Sequence, residues 1–256
     1  MKRRLIKYSI WILFTALPAK AFSQLSVFCI KKTSAQLHVY ESANFNSKVL
    51  YKIDTQSFFY CDTLIGDWYS CQMPHVFEST KDGYVSKDKV QRFVELPLQK
   101  QKFIITKSFN QYYWLLSTNQ KDTTITSIWV SDSSYPVPAS HLYYTNTFYP
   151  LLESFSEYYK KVIDTVNLST LFKLCSYTDG EFSQTMSLVL FNCYVHNKAL
   201  FIKQLKKIRN RKYFNRVKLQ LIYGINTYLP LKLKRERDNA TDILIAKEII
   251  KIKSIK

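Results

Sequence analysis

The spacing of apolar residues changes its period once along this chain, and that change limits the folds it can adopt. Between Leu37 and Ser86, short apolar runs alternate with polar residues and are broken by turn-formers, the pattern of half-buried strands. From Pro150 to the end, apolar residues recur three and four positions apart, the pattern of helices. The switch near Pro97 predicts an α+β multidomain chain, β-rich first and helical afterwards.

The N-terminus has the pattern of a secretory signal peptide. A basic start at residues 2–4 precedes an apolar run from Tyr8 to Ala19, and the small-x-small element Ala19-Lys20-Ala21 follows. The apolar run is well short of the roughly 20 residues that span a bilayer, which favours a cleaved leader over a membrane anchor. We therefore expect residues 1–23 to be removed and the protein to be exported, periplasmic or secreted, with no integral membrane span.

Strand patterns and turn residues indicate a small β-barrel or sandwich in the first half. Glycine tolerates the positive φ of a tight turn, so Gly66-Asp67 predicts a hairpin. The predicted strands are Gln36–Tyr40, Lys48–Ile53, Ser57–Thr63, Trp68–Met73 and Gly83–Ser86.

A hairpin centred on Gly66 would place Cys61 opposite Cys71 and Thr63 opposite Tyr69 on one face, with Trp68 on the other face, opposite Leu64. Directly opposed residues have Cβ atoms about 4.5–5.5 Å apart, near the range that a disulfide requires. In an oxidising compartment this pair could form a disulfide. The alternative is two reduced cysteines that pack as small core residues.

Four segments resemble the bacterial SH3-like (SH3b) family in order and spacing. They are Leu37-His38-Val39-Tyr40, Ser47-Lys48-Val49-Leu50, Gly66-Asp67-Trp68-Tyr69 and Gly83-Tyr84-Val85-Ser86. The resemblance implies a small SH3-like β-barrel over residues 25–95 that binds a cell-wall peptide or a protein ligand.

The same resemblance implies ligand-binding roles for Tyr40, Trp68 and Tyr84, although burial in a small core is the alternative for each. Tyr40 stands where the family often has arginine, and Ala43-Asn44 stand where it often has Gly-Pro. The fold tolerates such changes, whereas the usual ligand site is altered by them.

Residues 96–148 form a connecting region between the two halves. "LQKQKFIITKSFNQYYWLL" allows one helix, or a strand because of its aromatic and β-branched residues. Residues 118–147 predict a long loop that holds a short extended segment.

Residues 149–256 predict an all-α domain, either a bundle or a HEAT-like stack of helix pairs. Capping-box spacing at Thr178-Asp179-Gly180-Glu181 predicts a helix start just after it. Asn197 is a candidate cap for the next helix, and Pro230 a candidate helix end.

Positive charge is concentrated at the end of the chain. Residues 198–256 hold seventeen basic and four acidic residues, whereas residues 23–197 hold fifteen of each sign. The favoured interpretation is a set of helices with lysine-rich solvated faces; the alternative is binding of an anionic polymer or an envelope surface through these helices.

Catalytic motifs are missing from the sequence. The four histidines stand apart without metal-ligand spacing, and no phosphate-binding loop or CxxC motif occurs. Cys175 near Asp179 is the only arrangement that resembles a nucleophile, and a buried helical cysteine is the favoured interpretation. We therefore expect a binding or scaffold protein with no catalytic residue, no metal and no cofactor. A protein or peptidoglycan peptide is its expected ligand, with no specific nucleic acid. An accessory to, or remnant of, a cell-wall hydrolase is the less favoured alternative.

Overall fold

The computed structural model describes residues 26–30, 36–54, 58–72, 83–117, 125–130, 133–138, 147–177, 180–233 and 238–255. The predicted signal peptide, residues 1–23, lies outside these ranges. Within them the chain combines antiparallel strands with α-helices, which agrees with the expected α+β class.

Nine strands lie within the described residues. They are β1 (Ser26–Ile30), β2 (Gln36–Tyr40), β3 (Val49–Asp54), β4 (Phe58–Ile65), β5 (Trp68–Gln72), β6 (Gly83–Ser86), β7 (Val90–Arg92), β8 (Ile125–Val130) and β9 (Ser133–Pro138). Two of the five predicted strands, β2 and β6, have the predicted bounds, and the other three are shifted by one or two residues at one or both ends.

Neighbouring strands are antiparallel and follow the order β7-β1-β4-β5-β6-β2-β3-β8-β9. The terminal strands of this order, β7 and β9, do not pair with each other in the described part of the chain, so the strands do not form the closed barrel that was expected. The hairpin β8–β9, joined to β3 through the pair Tyr51 and Val130, extends the sheet beyond the expected module.

Side chains from seven of the strands meet in one hydrophobic cluster, so the sheet must curve around it. Leu37 and Val39 of β2 point inward, while their neighbours in the strand are half-buried or exposed. The buried members of this cluster are Phe28, Ile30, Leu37, Val39, Leu50, Tyr51, Ile53, Phe59, Cys61, Cys71, Val85 and Val90.

Seven α-helices lie within the described ranges. They are α1 (Leu98–Ser117), α2 (Tyr149–Lys161), α3 (Thr165–Leu174), α4 (Gly180–His196), α5 (Lys198–Leu205), α6 (Arg211–Leu233) and α7 (Asn239–Ser254). The segment that allowed either a helix or a strand is therefore the helix α1. Residues 118–147, expected to be mostly loop, contain β8 and β9.

Side-chain caps mark the starts of several helices. Asn197 accepts a hydrogen bond from the Leu200 backbone N–H at 3.1 Å, which confirms the predicted cap of α5. Asp238 caps α7 by accepting from the Thr241 N–H at 2.7 Å. The helix α4 begins at Gly180, and the first two residues of its predicted capping box lie outside the described residues.

The prediction that Pro230 ends a helix is wrong. Pro230 lies inside α6, which continues to Leu233. Proline lacks the N–H that would bond to the carbonyl four residues earlier. That loss falls close to the end of α6, where few further intrahelical bonds depend on it, so one more turn can follow.

A second hydrophobic cluster fills the helical part and reaches the strands. Cys29, Phe58 and Phe93 belong to it, although they come from β1, β4 and the short 3₁₀ helix Phe93–Glu95. The rings of Phe58 and Phe93 meet edge to face at 5.9 Å between centroids. One side of β1 and β4 therefore serves as packing surface for the helices. None of the helices within the described ranges is long and apolar enough to cross a membrane.

Candidate functional site

The outward side of β2 forms the base of the candidate site. Because successive side chains of a strand point to opposite faces, the burial of Leu37 and Val39 turns Gln36, His38 and Tyr40 away from the core. Gln36 is exposed, and His38 and Tyr40 are half-buried.

Strand pairing places the predicted aromatic residues on this same side. Tyr40 of β2 lies opposite Tyr84 of β6, and Tyr84 in turn lies opposite Ser70 of β5. Directly opposed residues share a face, and so do residues two apart in one strand, so Trp68 joins them. The structure thus places Tyr40, Trp68 and Tyr84 on one side of the sheet.

A glycine allows β2 and β6 to approach closely at this point. A Cβ atom on Gly83 would lie 2.3 Å from Val39 Cγ1 and 3.2 Å from the Tyr40 carbonyl oxygen. These separations leave no room for a side chain, so the close approach that brings Tyr84 beside Tyr40 depends on glycine at position 83.

Four rings, which we call the aromatic face, meet on the solvent side of β2 and β5. Its members are His38, Tyr40, Phe45 and Trp68. The Phe45 and Trp68 ring centroids are 4.5 Å apart, and Tyr40 meets Trp68 edge to face at 5.5 Å and Phe45 at 5.7 Å. His38 extends the series, with its ring 6.1 Å from that of Tyr40. Such edge-to-face and tilted pairs are favoured arrangements of aromatic rings.

Phe45 reaches this face because its loop, residues 41–48, is held by internal hydrogen bonds. The Ser47 hydroxyl lies 2.9 Å from the Asn44 carbonyl oxygen and 3.1 Å from that of Ser42. The Asn44 side chain accepts from the Asn46 N–H at 2.9 Å, a local Asx turn. These bonds shape the loop around Phe45, whose side chain nonetheless stays 59% exposed.

A shallow cavity of about 290 Å³ lies beside the aromatic face. Residues from β2, from the loop, from the end of β6 and from the turn after it line the cavity: Gln36, Leu37, His38, Tyr40, Phe45, Ser86 and Lys89. Ser86 Oγ donates to the Asp88 carboxylate, and Lys89 forms an exposed ion pair with Asp88 at 3.3 Å. The cavity therefore offers apolar rings, one cation and a few neutral polar groups, a combination suited to binding.

Sequence reasoning missed two members of the aromatic face. The four histidines lack metal-ligand spacing, so no role was expected for His38, and none was expected for Phe45 within its loop. A phenylalanine among the turn-forming residues of "ESANFNSK" was the available signal, because a large apolar side chain in such a loop has no core position.

Cys61 and Cys71 occupy the predicted opposed positions of β4 and β5, and both side chains are fully buried. No disulfide joins cysteines in the described part of the chain. Burial first, and then the neighbouring Cys71, raise the pKa of the Cys61 thiol well above its usual range. The opposition of the two residues is confirmed, while the disulfide itself stays a prediction.

The other hairpin pairings differ from the predicted ones. Tyr69 lies opposite Leu64 instead of Thr63, and Trp68 lies opposite Ile65 instead of Leu64. Gly66 and Asp67 form a two-residue turn, with Gly66 at φ 59°, and an irregularity between Cys61 and Leu64 shifts the register by one residue.

Cys175, the only nucleophile candidate, is fully buried, and its Sγ lies 3.2 Å from the Leu171 carbonyl oxygen. Burial raises its pKa well above the usual range, which disfavours the reactive thiolate. Among the described residues no group of three or more metal-ligating side chains comes together.

A scan against protein-family models found no match, and searches of curated proteins and of solved structures found no similar protein.

Proposed function

We propose that this chain is an exported, non-enzymatic binding protein whose residues 25–95 form an SH3-like module for a cell-wall peptide or a protein segment. The observation that carries the proposal is the meeting of Tyr40, Phe45 and Trp68 on the solvent side of the sheet, with ring centroids 4.5–5.7 Å apart. The SH3-like interpretation is supported by the four matching segments, which lie at β2, the start of β3, the β4–β5 turn and β6.

These rings have the character of a binding surface because they are separate from both hydrophobic clusters. None of the three belongs to the buried residues of the sheet core or of the helical core. Aromatic side chains that cluster outside a core are typical of ligand contacts, since they supply apolar area with little conformational entropy to lose.

The surroundings of the rings favour a short peptide that carries a carboxylate. Tyr40, Phe45 and Trp68 would contact its apolar groups. Lys89, at the edge of the cavity, would exchange its exposed ion pair with Asp88 for one with the negative charge of the peptide. Gln36 and His38 would hydrogen-bond to its amide groups. Cell-wall peptides and the C-terminal ends of proteins both have this chemistry.

We also propose that the chain has no catalytic activity. This proposal is supported by the burial of Cys175 and by its raised pKa, since a nucleophilic cysteine must be accessible and ionised.

The helical part, residues 149–256, is proposed as an interaction domain built as a small bundle. Its contact with β1 and β4, through residues such as Phe58, would hold the binding module in a fixed orientation.

The test is binding of the full chain to purified peptidoglycan, measured by co-sedimentation. Phe45→Ala and Trp68→Ala should each weaken binding about ten- to thirtyfold, the usual effect of removing a central aromatic contact. Phe103→Ala is the matched control, because Phe103 is equally aromatic and 68% exposed, but lies on α1. Circular dichroism would verify that each variant is folded.

Binding of a protein segment is tested by screening a library of displayed peptides. The library is screened with the natural chain, Phe45→Ala, Trp68→Ala and Phe103→Ala. Peptides enriched by the natural chain and by Phe103→Ala, but not by Phe45→Ala, would support it. Retention of neither peptidoglycan nor any peptide would contradict it, as would equal binding by all variants.

A further inference from the structure

The helical part contains a long stretch without negative charge. Residues 182–235 include twelve Lys and Arg residues and no Asp or Glu. The positive charge of α5 and α6 therefore cannot be neutralised by acidic residues of their own segments. A surface of this kind attracts anionic partners over roughly a Debye length, about 8 Å at physiological salt.

The last helix, α7, exposes apolar residues within this positive field. Ile243, Lys247 and Ile250 are spaced by four and three residues, so they share one side of the helix. Ile243 is 55% exposed and Ile250 64% exposed, whereas Ile245 and Ile252 on the opposite side are buried. The outward side of α7 thus presents two isoleucines with a lysine between them.

Side-chain contacts fix which side of α7 faces outward. Lys218 of α6 donates from Nζ to the carbonyl oxygens of Lys253 and Ile255, at 2.9 and 2.8 Å. At mid-helix, Glu248 accepts from the Tyr194 hydroxyl at 2.7 Å and pairs with Lys198 Nζ at 2.9 Å. Because Glu248 is turned towards α4 and α5, the outward side keeps its positive charge.

The neighbouring helix adds exposed apolar residues of its own. Leu219 is 60% exposed, and Tyr223, one turn further along α6, is 45% exposed. α6 packs directly against α7. The two helices therefore present separate apolar side chains among basic ones.

We propose that the outward side of α7, with Ile243, Lys247 and Ile250 at its centre, binds the surface of an anionic phospholipid bilayer. The isoleucines would enter the region just below the headgroups, and Lys247 and Lys253 would lie among the lipid phosphates. The helix would lie in the plane of the membrane surface without crossing it. This site is independent of the aromatic face.

The pattern of exposed residues favours a bilayer over a folded partner. A protein would need a separate pocket for each isolated isoleucine, and a nucleic acid has no apolar phase to receive one. A bilayer combines negative charge at its surface with a continuous apolar phase beneath. A bilayer can therefore attract the lysines of α7 and also receive its exposed isoleucines.

The experiment places an environment-sensitive dye at position 250 of the full chain through Ile250→Cys. All five natural cysteines are buried, so the new thiol is selectively labelled in the folded protein. Lys102→Cys, on the exposed side of α1, carries the same dye as the matched control. The probes are phosphatidylcholine vesicles with and without about 30 mol% phosphatidylglycerol, in about 150 mM salt. A local dye separates this surface from any membrane contact made elsewhere in the chain.

Emission from position 250 should shift to the blue with the anionic vesicles only, and emission from position 102 should not change. Ile243→Ser, made in the labelled chain, should weaken the interaction about five- to tenfold through lost apolar contact. Lys247→Gln combined with Lys253→Gln should weaken it by about tenfold or more.

Four results would overturn the proposal. The first is an unchanged spectrum at position 250, and the second is an equal response to neutral and anionic vesicles. The third is binding that is weakened by the lysine substitutions but not by Ile243→Ser, and the fourth is tighter binding to DNA or heparin at the same salt. Either of the last two would mean electrostatic adsorption alone. None of these results bears on peptidoglycan binding by the aromatic face.

Discussion

Cys61 and Cys71 lie directly opposite each other in the antiparallel strands β4 and β5, and neither side chain is exposed to solvent. Residues in such positions have Cβ atoms about 4.5–5.5 Å apart, so a small adjustment brings the sulfurs into bonding range. The pair is therefore placed for oxidation in a compartment that favours disulfides.

Protein isolated from an oxidising compartment should contain the Cys61–Cys71 disulfide. The bond should stabilise the sheet by about 3 kcal/mol, the estimate for a loop of roughly ten residues. Mass spectrometry after alkylation in denaturant would detect it as two thiols protected from the reagent. Cys71→Ser is the control and should abolish the protection. Full alkylation of Cys61 and Cys71 in the natural chain would contradict the prediction.

The same hairpin shows which part of the register could be predicted. The symmetry about Gly66 correctly predicted the pair Cys61–Cys71, but it placed Tyr69 opposite Thr63 instead of Leu64. Next to the two-residue turn, the strands follow the register in which Tyr69 lies opposite Leu64. The irregularity between Cys61 and Leu64 shifts the pairing by one residue, and beyond it Cys61 lies opposite Cys71. Such irregularities depend on packing against neighbouring strands, which the hairpin sequence does not specify.

Gly83→Ala should destabilise the sheet by about 1–3 kcal/mol, as expected when a side chain is forced into a filled site. Its Cβ would lie 2.3 Å from Val39 Cγ1, so β2 and β6 would have to separate. Urea unfolding followed by circular dichroism would measure the change.

Gly66→Asn is the matched control for Gly83→Ala. Gly66 has a positive φ of 59°, which asparagine tolerates, and a Cβ added there would meet no atom of the described residues within 4 Å beyond its chain neighbours. If Gly83→Ala lowers the free energy of unfolding no more than Gly66→Asn does, the close approach of β2 and β6 is unimportant for stability.

Glu248 should make the stability of the helical part depend on pH. Burial alone would raise its pKa, but hydrogen bonds from Lys198, Lys251 and Tyr194 outweigh burial and lower the pKa to about 2. A carboxyl with a lowered pKa stabilises the fold fully above its unfolded pKa of about 4.3, and this contribution is lost as the pH falls towards 2. Because Lys198 is half exposed, we expect Glu248 to contribute only about 1–2 kcal/mol to the free energy of unfolding at neutral pH.

Glu248→Gln tests this account through thermal unfolding at several pH values. The natural chain should be more stable at pH 7, and more than half of the difference should disappear by about pH 3. Lys251 is paired with the same carboxylate but is 66% exposed, so Lys251→Gln should have a smaller effect. A difference in stability between the natural chain and Glu248→Gln that is equally large at pH 7 and at about pH 3 would contradict the hydrogen bonds and ion pairs assigned to Glu248.

The helical part was predictable where a local signal decided the outcome. The side chain of Asn197 identified the start of α5, because an N-cap needs only the neighbouring backbone. Only one short extended segment was expected where the hairpin of β8 and β9 lies, since the pairing of these strands depends on each other and on β3. Phe45 was missed for the same reason: its contact with Trp68 joins a loop to a strand 23 positions away in the sequence.

Ligand binding at the aromatic face can be tested most directly by following Trp68 itself. The chain contains four tryptophans, so fluorotryptophan labelling gives a fluorine NMR spectrum with few resonances, and Trp68→Phe identifies the resonance of Trp68. On titration with soluble cell-wall peptide fragments, we expect a saturable shift of the Trp68 resonance and no change in the resonance of Trp114, which is exposed on α1. The shift should weaken in Phe45→Ala and persist in Phe103→Ala. A Trp68 resonance that stays in place while the fragments bind would mean that the aromatic face is not the binding site.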